Sequence, residues 1–474
     1  MTLQSFGGYP SLSARHLSLA VFSLYFSWLL AFPFEGQVLY ALAASVGVDP
    51  RPMISGAVAA QCAGLLLCGF FVKTTAAARK FIVFSIVVAF AVTVLFFLPP
   101  SGLWPPCLVL SSFLAGGSVA AWGFFFRAST PPDGRMRTAA DALIGSNLLM
   151  TLLNVAAVNI SPYAGLTLCL LALAGAWLCA LHLPTAEAAP AVGSPGGYGR
   201  AGIAGPLVFL CFFIAVITFN SGLMYQVINP AFTHLDWLAS WYWAIPYIAA
   251  IYVMRNLPRT VNRNIFLYAA VSMMGFSFLA FIVLDRSVAA YLLIDTILLG
   301  ACGIFDLFWW SILGEMLDLS ADTAKVFGFG LAANVLGVLV GGMAGRTLNW
   351  DGTHHSLLAL SVVCVVLVML PPLGRHLGKL LKTHVFLTVF AELPPDKQRQ
   401  TLRKQMTLGD LTERESEIAA LLVRGKTYKQ VASELYVSEN TVKTHVKNIY
   451  AKYNVQNRNQ LLHLMMNSEE LPMQ

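Results

Sequence analysis

Between Asn440 and Ser468 the chain carries Lys443, Lys447, Lys452 and Arg458 and no acidic residue. At helical spacing Asn440, Lys443, Thr444, Lys447 and Ala451 share one face. Val442, Val446, Ile449 and Tyr453 recur at i, i+4, i+7 and i+11 on the other. A solvated helix face usually interleaves glutamates with its lysines. An acid-free helix with small polar side chains between its lysines is suited to the major groove of double-stranded DNA: the ammonium groups meet phosphates and the short side chains leave room to reach base edges. A second set of polar residues stands in apolar runs. Glu35 follows Phe32-Pro33-Phe34, and Asp306 lies in Phe305-Asp306-Leu307-Phe308-Trp309-Trp310. A charge in such surroundings is costly, so each acid is a candidate ligand or proton site. Asn147, Asn154, Asn220, Gln226 and Asn334 are in similar runs, where hydrogen-bonded gluing of helices is the simpler role. Asp295, Glu315 and Asp318 lie nearer the ends of apolar runs and read as interfacial. Catalytic signatures of the forms G-x-x-x-x-G-K-[ST] and H-E-x-x-H are absent, so neither an enzyme nor a cofactor is indicated. The eight cysteines form no C-x-x-C pair and none lies in the last hundred residues, so neither a disulfide framework nor a metal site is expected.

The groove-facing residues need a scaffold, and helix signals around them supply one. Thr412 with Glu415 makes a capping box that opens a helix to about Val423, ended by Gly425. Thr427 with Gln430 makes a second, opening a helix to about Leu435. Tyr436-Val437 forms a turn, Ser438 caps a third helix to about Tyr453, and Asn454 suits a left-handed end. Asn457 with Gln460 then opens a fourth helix to about Met466. Four short helices with a tight turn between the second and third describe a helix-turn-helix domain.

Residues 408–467 resemble a LuxR-type helix-turn-helix domain. The matching residues run through all four helices: Leu411-Thr412, Arg414-Glu415, Gly425, Val431-Ala432, Leu435, Ser438, Thr441-Val442-Lys443, His445-Val446, Asn448-Ile449, Lys452, Val455 and Arg458. Tyr453 stands where that family usually has leucine. The resemblance implies that Lys443, Thr444 and Lys447 face base edges, and that Thr427, Lys429, Thr441 and Arg458 lie near phosphates. It also implies that the fourth helix, through Leu461, Leu462 and Leu464, pairs two domains as a dimer on a two-fold DNA site.

The rest of the chain reads as membrane. Of 474 residues 57% are hydrophobic and 11% charged, against about 25% charged in soluble domains. Windows of about 20 apolar residues fall near 17–41, 53–72, 81–99, 106–126, 138–160 and 163–182, then near 206–230, 236–254, 264–284, 288–313, 325–346 and 355–373. The first run has no cleavage signature and reads as a membrane helix with a break at Pro33. Lys73, Arg79, Lys80, Arg127, Arg135, Arg137, Arg200, Arg255, Arg259, Arg263, Lys325, Arg375, Lys379 and Lys382 occupy alternate loops, while the intervening loops hold only Arg51, Arg286 and Arg346. The positive-inside rule therefore places both termini in the cytoplasm, with the body multi-pass in the cell membrane. The expected fold is all-α: a twelve-helix membrane domain over residues 1–375, with halves at about 15–183 and 205–375 and a cytoplasmic linker at 184–204. A juxtamembrane connector follows at 376–407, then the four-helix DNA-binding domain at 408–467.

Six plus six spans about a central linker resemble the major facilitator superfamily. The loop at residues 69–80 keeps the position of that family's signature loop but lacks its Asp-Arg pair and glycine pattern. Carried onto this chain, the resemblance places Glu35, Asn220 and Asp306 near a central cavity as candidate ligand-binding residues. Expected partners are double-stranded DNA, the lipid bilayer and a small-molecule ligand. The leading reading is a membrane-tethered transcription regulator controlled by ligand or membrane-state sensing. A facilitator-type transporter with a regulatory DNA-binding tail is the alternative, and an anchor that only holds the regulator at the membrane is a third. The stretch from Pro395 to Leu408 reaches at most about 45 Å, which keeps the DNA close to the bilayer.

Overall fold

A computed structural model describes residues 12–131, 134–185, 200–257, 263–318, 322–348, 352–392, 411–423, 426–453, 455 and 461. All regular secondary structure among these residues is helical. The chain divides into two compact units, one of Met1–Glu187 with Leu207–Leu373, the other of Ala188–Pro206 with Gly374–Gln474.

The apolar helices lie in the first unit, save residues 200–206 and 374–392. They are α1 (Leu12–Ala31), α2 (Gln37–Ser45), α3 (Arg51–Phe71), α4 (Thr75–Leu95), α5 (Trp104–Ser129), α6 (Arg135–Asn159), α7 (Pro162–Ala180) and α8 (Arg200–Leu223). After them come the short α9 (Asn229–Ala231) and α10 (Asp236–Ala239), then α11 (Ala244–Arg255), α12 (Arg263–Val283), α13 (Val288–Met316), α14 (Thr323–Thr347) and α15 (Gly352–Glu392). Among the described residues eleven helices are long and apolar enough to cross a membrane, or twelve when the pair Thr233–Ala239 and Ala244–Arg255, bent by 46°, counts as one span. The helix of the last span does not end near 373; it continues to Glu392, so the first part of the connector expected at 376–407 is helical. The rest of that connector, and most of the 184–204 linker, lies outside the described residues.

Helices in lipid gain nothing from burying apolar surface against each other, so close backbone approach at small residues holds them together. Gly64 of α3 lies against the carbonyl of Phe113 in α5, and Gly116 of α5 lies against the carbonyl of Gln61 in α3. A Cβ at either position would collide with backbone.

Three spans are broken. The helix of the first span ends at Ala31, before Pro33, and Glu35 takes φ 50° between α1 and α2. A π-helical turn at Met224–Ile228 extends α8 just before Pro230. The third break is the bent pair around Ser240–Trp243. Irregular backbone at membrane depth is tolerated where it lines a cavity and its polar groups meet water or side chains. All three breaks contribute residues to the same cavity.

Ion pairs close the opposite end of this unit. Asp141 accepts from Arg15 at 2.9 Å and from Arg255 at 2.6 Å. Lys73 reaches Asp322 at 3.0 Å, and Asp318 lies 3.3 Å from Arg127 and 3.1 Å from Arg135. Apart from Arg15–Asp141, each of these pairs binds a group before residue 183 to one after residue 205, across the two halves.

The tail, in the second unit, forms α16 (Glu413–Val423), α17 (Tyr428–Glu434) and α18 (Glu439–Lys452). The caps anticipated from sequence are in place. Thr412 and Glu415 bond reciprocally at 2.8 and 3.3 Å, Thr427 and Gln430 at 2.9 and 3.3 Å, and Ser438 Oγ accepts from Thr441 N at 3.1 Å. In the turn Tyr436 adopts φ 54° and Val437 N donates to Ala432 O at 3.0 Å. Ile418, Leu422, Val431, Val442, Val446, Ile449 and Tyr453 form the core. Tyr453 is buried there, so the substitution for leucine is absorbed. Most of the fourth helix expected from Asn457 lies outside the described residues. Leu461 is buried in the tail's own core. That corrects its expected place in a pairing surface, because a side chain filling this core is not free to face a second domain.

Candidate nucleic-acid interface and membrane cavity

The candidate interface is built on α18. Its amphipathic spacing turns Val442, Val446 and Ile449 inward, which leaves Asn440, Thr441, Lys443, Thr444 and Lys447 exposed together on the outer face. Thr444 Oγ1 donates to the carbonyl of Asn440 at 3.0 Å, and the Thr441 hydroxyl shares a 2.8 Å hydrogen bond with Ser438. Two lysines are less free than the run of residues implied. Lys443 pairs with Glu439 at 3.2 Å, one turn earlier, and Lys452 points back to Glu415 at 2.7 Å. Lys447 is exposed and has no ion-pair partner among the described residues. Thr427 is exposed at the cap of α17. Lys429 belongs to α17, but its side chain is not described, and Arg458 lies outside the described residues.

Glu415 is held mainly by the tail. Its burial raises the carboxyl pKa, and the hydrogen bonds from Lys452 and Thr412 outweigh that, so it lies below the usual carboxylate range.

In the first unit a cavity of about 1060 Å³ is lined by residues from both halves. Its lining reaches Arg51, Asp236 and Arg346 but includes none of the ion pairs between the halves, so it opens on the face opposite them. Glu35 and Asp306 both line it. Tyr40 donates to Glu35 Oε2 at 2.7 Å and Tyr247 to Asp306 Oδ2 at 2.5 Å. Tyr225 is within electrostatic reach of both acids.

Asn220 does not join them. It is fully buried, and its amide donates to the carbonyl of Ala359 at 3.2 Å and contacts Met274 Sδ at 3.4 Å. It therefore acts as glue between helices, the role that placement on a cavity-lining span left open. Asn147, Asn154, Gln226 and Asn334 do line the cavity. Sequence reasoning missed Asp295. Read as interfacial, it is 6% exposed in the cavity wall, and its Oδ2 has no hydrogen-bond partner. The signal was present: Asp306 lies 11 residues on in the same helix, about three turns, which puts the two acids on one face.

Comparison with known proteins places both units. Residues 410–465 match the model of the bacterial regulatory proteins of the luxR family. The spore germination protein GerE of Bacillus subtilis is 44% identical over 61 residues, covering 13% of this chain and 82% of that protein. The response regulator VraR of Staphylococcus epidermidis is 40% identical over 80 residues, 17% of this chain but 38% of that protein. The transcriptional regulatory protein LnrK of B. subtilis is 48% identical over 59 residues, 12% of this chain and 27% of that protein. The first unit has the fold of the human organic anion transporter MFSD10 (TETRAN), with TM-score 0.53 and 13% identity, over 76% of this chain and 100% of that one. The family is therefore carried by the tail, and the fold of the body is facilitator-like. The chain belongs to the luxR family of bacterial regulatory proteins and carries its DNA-binding domain behind a polytopic membrane body.

Proposed function

We propose that this chain is a membrane-tethered transcription regulator whose body binds a small molecule and whose tail binds double-stranded DNA. The observation that carries the reading is the presence in one chain of an exposed Lys/Thr/Asn face on α18 and a large cavity among apolar helices whose wall carries carboxylates and amides. The body lies in the cell membrane with both termini in the cytoplasm, because the basic loops mark that side and the tail must meet DNA there. Lys443, Thr444 and Lys447 read base edges, with Asn440 on the same DNA-facing side, while Thr427, Lys429, Thr441 and Arg458 position the domain on the backbone as a dimer on a two-fold site. Ligand binding controls output only if two states of the body present the tail differently.

Genome-wide mapping of DNA bound by the intact chain in its membrane, with and without candidate ligands, tests this. Occupancy at discrete sites that changes with a ligand supports it. Sites that never respond, together with uptake of the ligand by proteoliposomes, would favour a transporter with a DNA-binding appendage. Undiminished ligand response after replacing the body with one span would remove the sensor role.

A further inference from the structure

The cavity wall carries four carboxylates, Glu35, Asp236, Asp295 and Asp306, against two guanidinium groups, Arg51 and Arg346. Both arginines already face acids. Arg51 is 3.6 Å from Asp49, and Arg346 interacts with Glu35. Among the described residues no lysine or arginine forms an ion pair with Asp295 or Asp306. Asp306 has Tyr247 as a donor. Tyr291 likewise reaches the Asp295 carboxyl, but Asp295 Oδ2 has no hydrogen-bond partner, although the residue is buried to 6% exposure. Asn154 Oδ1, also in the wall, is another buried acceptor without a donor.

The wall near Asp295 is aromatic as well as acidic. Tyr291 stands one turn earlier on α13, its ring 5.2 Å from that of Phe232, and both line the cavity. Phe232 already has the Arg286 guanidinium over its face at 5.7 Å. A buried carboxylate without a counter-charge is costly, and ring faces attract cations most where water is scarce. We infer that this cavity takes an organic cation, with its charged centre on Asp295 and its apolar body against the Tyr291–Phe232 wall. Asp306 lies about 16 Å further along the same helix, too far to share that charge. It is a second acidic station deeper in the cavity.

This inference rests on the sensor reading for its biological use, but not for its chemistry. The test uses the full chain in lipid nanodiscs, with radiolabelled tetraphenylphosphonium as the probe. Tetraphenylborate, its counterpart of nearly equal size and opposite charge, is the competitor, and empty nanodiscs correct for partition into lipid. Saturable phosphonium binding is expected, weakened at least tenfold by Asp295→Asn and not displaced by the borate. Asp295→Asn conserves shape, and an unchanged unfolding midpoint shows that the variant is folded; should it misfold, Asp295→Glu, which keeps the charge, must retain binding. No saturable phosphonium binding overturns the inference and leaves the acids as proton sites. Binding that Asp295→Asn leaves intact, or that the borate displaces equally, overturns it too. Transcript profiles of cells expressing the chain, with and without the phosphonium, separate the two claims. Binding without a transcript response defeats the sensor reading and leaves the cation site. A response to other compounds without phosphonium binding does the reverse.

Discussion

Lys452 Nζ lies 2.7 Å from Glu415 Oε2, which ties the end of α18 to the first turn of α16. Glu415 also accepts from the amide and hydroxyl of Thr412 at 2.8 and 3.0 Å, so one buried carboxylate closes a helix cap and fastens the recognition helix to the core. Glu415→Ala removes the cap partner and strands the lysine. A loss of about 1–3 kcal/mol in the tail is expected, read as faster amide hydrogen exchange across residues 413–453 of the full chain. Unchanged exchange would mean that the cap and tie contribute nothing.

The same carboxyl sets an acid limit. Its folded pKa is depressed, so the unfolded chain takes up the proton more readily as pH falls. The stabilisation is therefore complete above the unfolded carboxylate value of about 4.3–4.5 and is lost as pH drops through the lower folded value. Tail protection, corrected for intrinsic exchange rates, should hold from neutral pH to about 5 and then decline. In Glu415→Gln the decline should be shallower, because that variant no longer titrates here.

Lys443 and Lys447 should not contribute equally to DNA binding, since Glu439 lies 3.2 Å from the first. Each phosphate neutralised adds about 0.9 to the slope of log affinity against log salt. Glu439→Gln should raise affinity and steepen that slope, while Lys447→Ala should weaken binding more than Lys443→Ala. If Lys447 reads a base, its loss costs about 1–3 kcal/mol and relaxes specificity. Fluorescence anisotropy on duplexes across a salt series distinguishes these outcomes.

At the end of the body opposite the cavity mouth, Arg135 is 1% exposed and bonded to the carbonyls of Thr130 and Gly314 as well as to Asp318. Asp318→Asn leaves a buried guanidinium with a neutral partner, which should cost about 3–5 kcal/mol. Thermal unfolding in detergent should show a clearly lower midpoint.

Backbone contact at Gly64 makes a different demand. Gly64→Ala must push α3 away from the Phe113 carbonyl of α5, at about 1–3 kcal/mol for an overpacked contact. Gly102→Ala, where an added Cβ meets nothing within 4 Å, should leave the unfolding midpoint unchanged.

Local rules made much of this protein legible in its residues. Capping pairs at Thr412/Glu415 and Thr427/Gln430, the cap at Ser438 and the stripe Val442-Val446-Ile449-Tyr453 act within a few residues of themselves. They determined the tail's first three helices and their inward face. Long apolar runs likewise determined the membrane body, because a backbone in lipid must bond within its own helix. Pro33 marked the break that sets Glu35 apart from α1.

Contacts between distant residues were settled only by the tertiary structure. Lys443 and Lys452 look alike in the acid-free run, yet Glu439 and Glu415 engage them differently. Leu461 looks as available as its neighbours until the core closes over it. Asn220, Asp295 and Asp306 are each a polar residue in an apolar helix. Which one glues helices and which lines a cavity depends on the rotation of each helix against the others. Apolar runs do not specify that rotation, because lipid and a neighbouring helix are equally greasy. It is set by close contacts such as Gly64 on Phe113, and by the ion pairs that join Asp141 to Arg255 and Asp318 to Arg135.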